Sequence, residues 1–110
     1  MTTEQEIETK IQAKGLNFPR LTPADIDAAI VHAQYHVFPG TTVTVCCITL
    51  RNGYSTVGES AAVSLGNFDE QIGREVAYAN ARNKIWALEG YLLKEREYRF
   101  VPLKVIGEAG

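Results

Sequence analysis

Three side chains that suit the binding of a phosphate and a planar ring recur every four residues in the second half of the chain. They are Arg74, Tyr78 and Arg82, and on a helix this spacing places them on one continuous ridge. A guanidinium binds phosphate through two parallel hydrogen bonds, and a tyrosine ring or a guanidinium plane stacks on a base. Asn83, on a neighbouring row, offers an amide to a base edge or a ribose hydroxyl. The alternative is a solvated helix face on which Arg74 pairs with Glu70, one turn earlier.

Other residues with reactive side chains do not form a complete catalytic set in the sequence. His32 and His36 have the i, i+4 spacing of a metal pair, but a zinc site needs a third ligand and the HExxH pattern needs a glutamate that is absent here. We therefore expect surface or interface histidines. Ser60 lies two residues after Gly58 but without the GxSxG context, and no histidine follows His36. The sequence predicts a protein that is not an enzyme and needs no metal or cofactor.

Composition narrows the class of protein further. The chain has 110 residues, of which 45% are hydrophobic and 22% are charged, as expected of one globular domain. A net charge of −2 argues against a duplex-DNA binder. The apolar runs are too short to span a bilayer, and the acidic N-terminus is unlike a secretory signal. Cys46 and Cys47 are adjacent, so on a strand their thiols point to opposite faces and stay reduced. We expect a cytoplasmic protein that does not contact membranes.

Two helices are predicted in the first third of the chain. The Thr3–Glu6 capping box opens a short helix that Gly15 ends, and its few apolar residues predict loose docking of residues 1–15. Thr22 and Pro23 open a second helix. Its predicted buried stripe ends before the Pro39-Gly40 pair and consists of Ile26, Ile30, Ala33 and Val37.

A β-hairpin follows these helices. Residues 41–50 are rich in Thr, Val and Ile, and Asn52-Gly53 is the typical two-residue hairpin turn. This turn would pair Thr49 with Thr56 and Cys47 with Gly58, which places Val57 on the same face as Ile48. Both faces are then half apolar, so we expect cover on both sides, or on one side by a partner chain.

One long helix completes the predicted fold. Asn67 and Glu70 form its expected start, and it runs over residues 68–96. It carries one apolar stripe of Ile72, Val76, Ala79, Trp86 and Leu93 and a second of Ala81, Ile85, Leu88 and Leu92. Two stripes indicate packing on the sheet and on a second subunit, hence a homo-oligomer, a dimer or larger. Gly90 suggests a kink or close crossing, and residues 100–106 an edge strand.

The predicted fold class is therefore α+β. An antiparallel, hairpin-based sheet packs against a short helix and one long C-terminal helix. Residues 1–110 form a single domain.

Several stretches of this chain resemble one family. They include the NGY hairpin, the NFD helix start and the WALEGYLL segment, and they cover residues 19–26, 47–54, 58–61, 67–74 and 79–93. Together they resemble the small phage and prophage accessory proteins of the Gp49-like phage family, with the resemblance extending over residues 16–96. That family is similar to the type-one Thoeris anti-defence proteins, phage sponges that bind cyclic ADP-ribose isomers, and in some cases cyclic oligonucleotides.

The resemblance implies a homo-oligomeric phage protein that sequesters a cyclic nucleotide immune signal without turning it over. The residues whose chemistry suits such a ligand are Arg74, Tyr78, Arg82 and Asn83, with Tyr54 and Arg20 from elsewhere in the chain. Trp86, Gly90, Tyr91 and Leu93 are expected to be packing residues. A different class of function, the binding and inhibition of a host protein through an exposed helix or hairpin, stays open.

Overall fold

The structure, a computed structural model, describes residues 3–16 and 18–99. Four helical segments and three strands follow one another along the chain. They are α1 (Glu4–Ala13), α2 (Pro23–Ala29), β1 (Ile30–Val37), β2 (Val43–Leu50), β3 (Ser55–Ala61), a single-turn 3-10 helix (Leu65–Asn67) and α3 (Glu70–Tyr98). The strands form one antiparallel sheet in the order β1-β2-β3. The α+β class, with a hairpin-based sheet and a long C-terminal helix, is confirmed.

The core lies between one face of the sheet and α3. The side chains of β2 alternate strictly in burial, because one face meets α3 and the other does not. The buried hydrophobic residues are Ile26, Ala29, Cys46, Ile48, Leu50, Ala77, Ala81 and Ile85. Cys46 and Cys47 point to opposite faces, as expected, and neither forms a disulfide.

The starts of α1 and α2 are those that the sequence predicts. The Thr3 hydroxyl accepts a hydrogen bond from the Glu6 amide at 3.1 Å, and Gly15 adopts a φ of +66° just after α1. Thr22 and Asp25 form a reciprocal capping box at the start of α2.

The predicted extension of the second helix to residue 37 is wrong, because α2 ends at Ala29 and β1 begins at Ile30. A bulge between Ile30 and His32 shifts the alternation of β1, so Ile30, Ala33 and Val37 are its half-buried positions. This three-to-four-residue spacing of partly buried side chains imitates a helix. The segment is also rich in β-branched and aromatic residues, and pairing with β2 gives it a hydrogen-bond ladder.

The hairpin is present, but its register differs by one residue from the prediction. Leu50 donates to the Tyr54 carbonyl at 2.8 Å, so the loop has three residues, and of these only Gly53 has a positive φ. A two-residue turn would require a positive φ at Asn52 as well. As a result Ile48 pairs with Thr56, and Val57 lies opposite Cys47 on the face away from α3.

Helix α3 starts later than predicted, and the stripe that it buries agrees with the predicted stripes only at Ala81 and Ile85. Asp69, not Asn67, caps it by accepting from the Ile72 amide at 2.9 Å. Its buried residues are Gly73, Ala77, Ala81 and Ile85. Small side chains let the helix approach the sheet closely, and the larger Ile72 is 59% exposed. The predicted strand at 100–106 lies outside the described residues.

Gly58 sets the distance between the sheet and α3. A methyl group at Gly58 would overlap the Ala81 nitrogen and the Ala77 carbonyl oxygen, both backbone atoms that cannot move aside independently. On either side of Gly58, Thr56 and Ser60 donate hydrogen bonds to the carbonyls of Ala81 and Gly73 at 3.1 and 2.7 Å.

We therefore expect Gly58→Ala to lower the free energy of unfolding by at least about 2 kcal/mol, because the helix backbone must be displaced. Denaturant unfolding measures this loss. Gly66→Ala is the matched control, since the nearest atom to its added methyl is the Ser64 hydroxyl at 3.6 Å. The control should change the stability by no more than about 0.5 kcal/mol. Equal losses in the two variants would contradict this account of the packing.

Candidate functional site

Arg82 is the last member of the predicted ligand-binding ridge, and its guanidinium is bound by other residues of the same chain. Its guanidinium binds the Glu4 carboxylate through Nε at 2.9 Å and the Asp27 carboxylate through Nη1 at 2.8 Å. It also donates to the Tyr78 hydroxyl and to the Pro23 carbonyl, each at 3.2 Å. The side chain is 11% exposed. Arg82 therefore joins α1 and α2 to α3 and is not available to a phosphate in this arrangement.

Arg20 has the same kind of role. Its two terminal nitrogens bind both carboxylate oxygens of Glu8, at 2.5 and 2.8 Å, in a bidentate ion pair. The Glu8 side chain is 7% exposed, and Gln12 donates a further hydrogen bond to it at 2.7 Å. Two of the six predicted ligand-binding residues thus hold α1 in place.

The two ion pairs contribute to the docking of α1 in addition to its few apolar residues. Burial acts to raise the pKa of Glu4, but hydrogen bonds from Arg82 and from the Trp86 indole, the latter at 2.9 Å, outweigh it and lower the pKa. For Glu8, hydrogen bonds from Arg20 are the main cause of a lowered pKa. Burial disfavours the charged form of Arg82, yet its carboxylate partners raise its pKa overall. The carboxylates of Glu4 and Glu8 are therefore ionised at neutral pH.

Arg74 lies apart from Arg82, beside the sheet edge formed by β1. Its guanidinium carbon is 5.8 Å from the centroid of the Tyr35 ring, and its Nη2 is 3.8 Å from Glu70. This pairing with Glu70 is the solvated-face alternative given above. Together with Tyr78 it lines a shallow depression that also includes Gln71 and Glu75. The predicted ridge therefore has the half-exposed guanidinium of Arg74 at one end. At the other end is Arg82, which is bound to carboxylates of the same chain.

The remaining predicted ligand residues are also separated. Asn83 lies on an exposed part of α3. Tyr54 follows the hairpin turn and is 60% exposed. Since Tyr54 lies near Tyr91, and Tyr91 is 17 residues beyond Arg74 on α3, about 25 Å separates Tyr54 from the Arg74 end. The six residues do not form a single site.

A concave surface lies between the hairpin turn and α3, and both tyrosine rings and guanidiniums line it. We call it the turn groove. Its volume is about 480 Å³, within the range of small-molecule pockets. The residues that line it are Ala29, Leu50, Arg51, Asn52, Tyr54, Leu88, Glu89, Tyr91, Leu92 and Arg96.

The turn groove combines two rings, two guanidiniums and an apolar lining. Tyr91 is 74% exposed and is not the packing residue that the sequence suggested. Arg51 forms a long ion pair with Glu89, at 3.6 Å. Arg96 belongs to the last turn of α3. Arg51, Tyr91 and Arg96 are not predicted as a group from the sequence, because 45 residues separate Arg51 from Arg96. The one signal in the sequence is the occurrence of Tyr91, Arg96 and Tyr98 together near the end of the predicted long helix.

The other residues considered for chemistry have structural positions. His32 and His36 lie on β1, a strand, where four residues span about 13 Å, too far to share one metal ion. The Ser60 hydroxyl donates to the Gly73 carbonyl. Within residues 3–16 and 18–99, no three His, Cys, Asp or Glu side chains are grouped closely enough to hold a metal ion. No helix in the described part of the chain combines the length and apolar composition needed to cross a bilayer.

We expect Glu4→Gln to release α1 from α3, because a neutral amide cannot replace the carboxylate that accepts from both Arg82 and Trp86. The loss should be roughly 1–3 kcal/mol. Trp86 is the single tryptophan, so its fluorescence reports the change, together with faster amide exchange in α1. Glu6→Gln is the control, as Glu6 is exposed on the same helix. Equal behaviour of the two variants would contradict the proposed docking.

Docking of α1 should also depend on pH. Since the pKa values of Glu4 and Glu8 are lowered in the folded state, the stability that they contribute is fully present at neutral pH. It is lost as the pH falls below the ordinary range of a glutamate pKa and through these lowered values. A Trp86 fluorescence titration should show this transition in the native chain and not in Glu4→Gln. An identical transition in that variant would assign it to other groups.

Comparison with known proteins gives one informative match. No match was found among the curated proteins or among the solved structures. Residues 21–96, more than half of the chain, match a family that extends from just before α2 to the last turn of α3. The matched segment thus contains the whole sheet, α2, most of α3 and the turn groove, while α1 precedes it. The chain therefore belongs to the Phage protein (N4 Gp49/phage Sf6 gene 66) family.

Proposed function

We propose that this phage-family protein binds a nucleotide in the turn groove and retains it unchanged. The observation that carries the proposal is the presence of two exposed tyrosine rings and two guanidiniums around one apolar concavity. Nucleotides present a flat ring and an anionic phosphate together, and this pair of features requires both kinds of side chain in one place.

Each part of the turn groove has a role in this proposal. Tyr91 and Tyr54 stack on the base, and exposed rings of this kind lose little conformational entropy on binding. Arg96 and Arg51 contact the phosphate oxygens. Arg51 exchanges its long contact with Glu89 for a phosphate oxygen, and the Glu89 carboxylate accepts a hydrogen bond from a ribose hydroxyl. The described lining residues hold no nucleophile next to a general base, which is consistent with binding that does not lead to turnover.

The ligand class that we propose is a cyclic nucleotide immune signal, a cyclic ADP-ribose isomer or a cyclic oligonucleotide. Sequestration in the cytoplasm of the infected host would lower the free concentration of such a signal and thereby prevent its detection. This role needs affinity and stoichiometric amounts of protein, and it needs neither a metal nor a cofactor. It fits a small protein of a phage family.

The direct test is isothermal titration calorimetry of the full chain with cyclic ADP-ribose isomers and with cyclic di- and trinucleotides. We expect one of these to bind with micromolar or tighter affinity and to be recovered intact. Tyr91→Ala should weaken binding by about 5- to 100-fold, the usual loss of one ring that stacks on a base. Arg96→Gln should weaken it by about tenfold or more.

Two variants control for indirect effects. Tyr98→Ala removes a ring from the same helix outside the turn groove, and Arg82→Gln alters the guanidinium that α1 occupies. Neither should change the affinity by more than about twofold. An absence of heat with every ligand at tens of micromolar protein, or an equal loss in Tyr98→Ala and Tyr91→Ala, would overturn the proposal.

A second candidate function, the binding of a host protein, is favoured by a different surface. Ile72 and Val76 are neighbours on α3 and are 59% and 44% exposed, and both line a cleft beside Phe68. Exposed apolar side chains that lie together mark protein-binding surfaces. This candidate predicts a stable complex with one host protein that Ile72→Asp abolishes and that Tyr91→Ala leaves unchanged.

A further inference from the structure

The two edges of the sheet differ in how their backbone groups are satisfied. On the β3 side, the carbonyls of Val57 and Glu59 point away from β2 and accept hydrogen bonds from side chains of α3. Lys84 Nζ lies 2.5 Å from the Val57 oxygen, and Asn80 Nδ2 lies 2.8 Å from the Glu59 oxygen. A long side chain from α3 thus covers each of these carbonyls, and a covered edge cannot pair with another strand.

The edge formed by β1 is open in the part of the chain that the structure describes. The Phe38 amide donates to the Val43 carbonyl at 3.2 Å, which fixes the alternation of the ladder. By this alternation, His32, Gln34 and His36 bond to β2, and the backbone groups of Ala33, Tyr35 and Val37 point outward. Among the described residues, none of these outward N–H and C=O groups has a hydrogen-bond partner.

Strand β1 also lacks the features that normally protect an exposed edge. Its sequence, IVHAQYHV, contains no proline, lysine, aspartate or glutamate. Its bulge lies at the start of the strand and leaves residues 32–37 regular. Helix α3 packs over β2 and β3, so β1 remains accessible, with Tyr35 40% exposed. A long, uncharged and uncovered edge of this kind is a surface for adding a strand.

We propose that this edge binds the same edge of a second copy of the chain, in antiparallel orientation about a two-fold axis. Such pairing always places one outward-facing residue of β1 opposite another, so that the open groups of Ala33, Tyr35 and Val37 on both chains find partners. Because β1 carries no acidic or basic side chain other than its histidines, two copies meet without opposed carboxylates or ammonium groups. The result is one continuous six-stranded sheet.

The pairing also forms a groove to which each chain contributes one half. A two-fold axis perpendicular to the sheet places both α3 helices on the same face. The shallow depression of Arg74, Tyr35 and Tyr78 then adjoins its own copy and becomes a groove between the two helices. Two guanidiniums and four tyrosine rings line this groove, together with Gln71 and Glu75 of each chain. This arrangement does not depend on the function proposed for the turn groove.

Sedimentation velocity of the full chain over a concentration series tests the pairing, together with residue-resolved amide exchange by NMR. We expect a dimer in which the amides of Ala33, Tyr35 and Val37 are protected, and we expect this protection to fall on dilution. The amides of Gln34 and His36 bond to β2 and should stay protected at every concentration.

Two variants act on the edge by different means. Gln34→Lys places like charges near the two-fold axis and should raise the dimer dissociation constant at least tenfold. Tyr35→Pro removes an outward N–H without removing a bond to β2, and it should give a monomer. Val57→Lys is the matched control, because it adds the same charge to the same face of the sheet on the far strand, and it should leave the dimer intact.

Three results would overturn the proposal. The first is a monomer at all concentrations up to several hundred micromolar with unprotected outward amides. The second is a monomer in which these amides are protected, which would mean that other residues of the same chain cover the edge. The third is a dimer that both β1 variants leave unchanged, which would place the interface on another surface, such as Ile72 and Val76.

Discussion

The close approach of α3 to the sheet is the constraint on which the rest of the structure depends. Gly58 has no side chain where the helix backbone passes, and the Thr56 and Ser60 hydroxyls on either side of it bond to helix carbonyls. On the helix, Gly73, Ala77 and Ala81 present the matching small surface. Such small residues bury few apolar atoms. This part of the core therefore depends on the close approach of the helix and strand backbones and not on large apolar side chains. It also fixes which side chains of α3 reach the edge of β3.

That contact determines what the outward faces of α3 can do. With the small stripe turned to the sheet, Arg82 and Trp86 face α1, where Glu4 binds both of them. Arg74 is turned toward β1, and Tyr91 and Arg96 lie along the turn groove. The same helix therefore binds α1, places Arg74 beside the open edge of the sheet, and lines the turn groove.

The arginines illustrate how similar residues acquire different roles from their surroundings. Arg20 and Arg82 meet carboxylates of α1 in short, partly buried pairs that use most of their donors. Arg74 and Arg51 form longer contacts with Glu70 and Glu89, at 3.8 and 3.6 Å, and their side chains are about half exposed. An exposed pair such as Arg74–Glu70 contributes little energy, whereas Glu89 is only 15% exposed and its pair with Arg51 is weakened by its length. Of these four arginines, Arg74 and Arg51 are therefore the more available to a ligand. The spacing along the chain predicts the Arg74–Glu70 pair but not the contacts of the other three arginines with distant segments.

The sequence by itself determined the α+β class, the starts of α1 and α2, the presence of the hairpin and the length of α3, because caps, turn residues and composition act over a few neighbouring positions. It did not determine that residues 30–37 form a strand, since a bulge gives β1 a burial spacing that imitates a helix. It also placed the hairpin register one residue away, because three-residue and two-residue turns both accept Asn-Gly. The grouping of Arg51, Tyr54, Tyr91 and Arg96, and the capture of Arg20 and Arg82 by α1, arise only when distant segments meet. Tertiary structure alone decided these features, because ion pairs and grooves form between residues that are far apart in the chain.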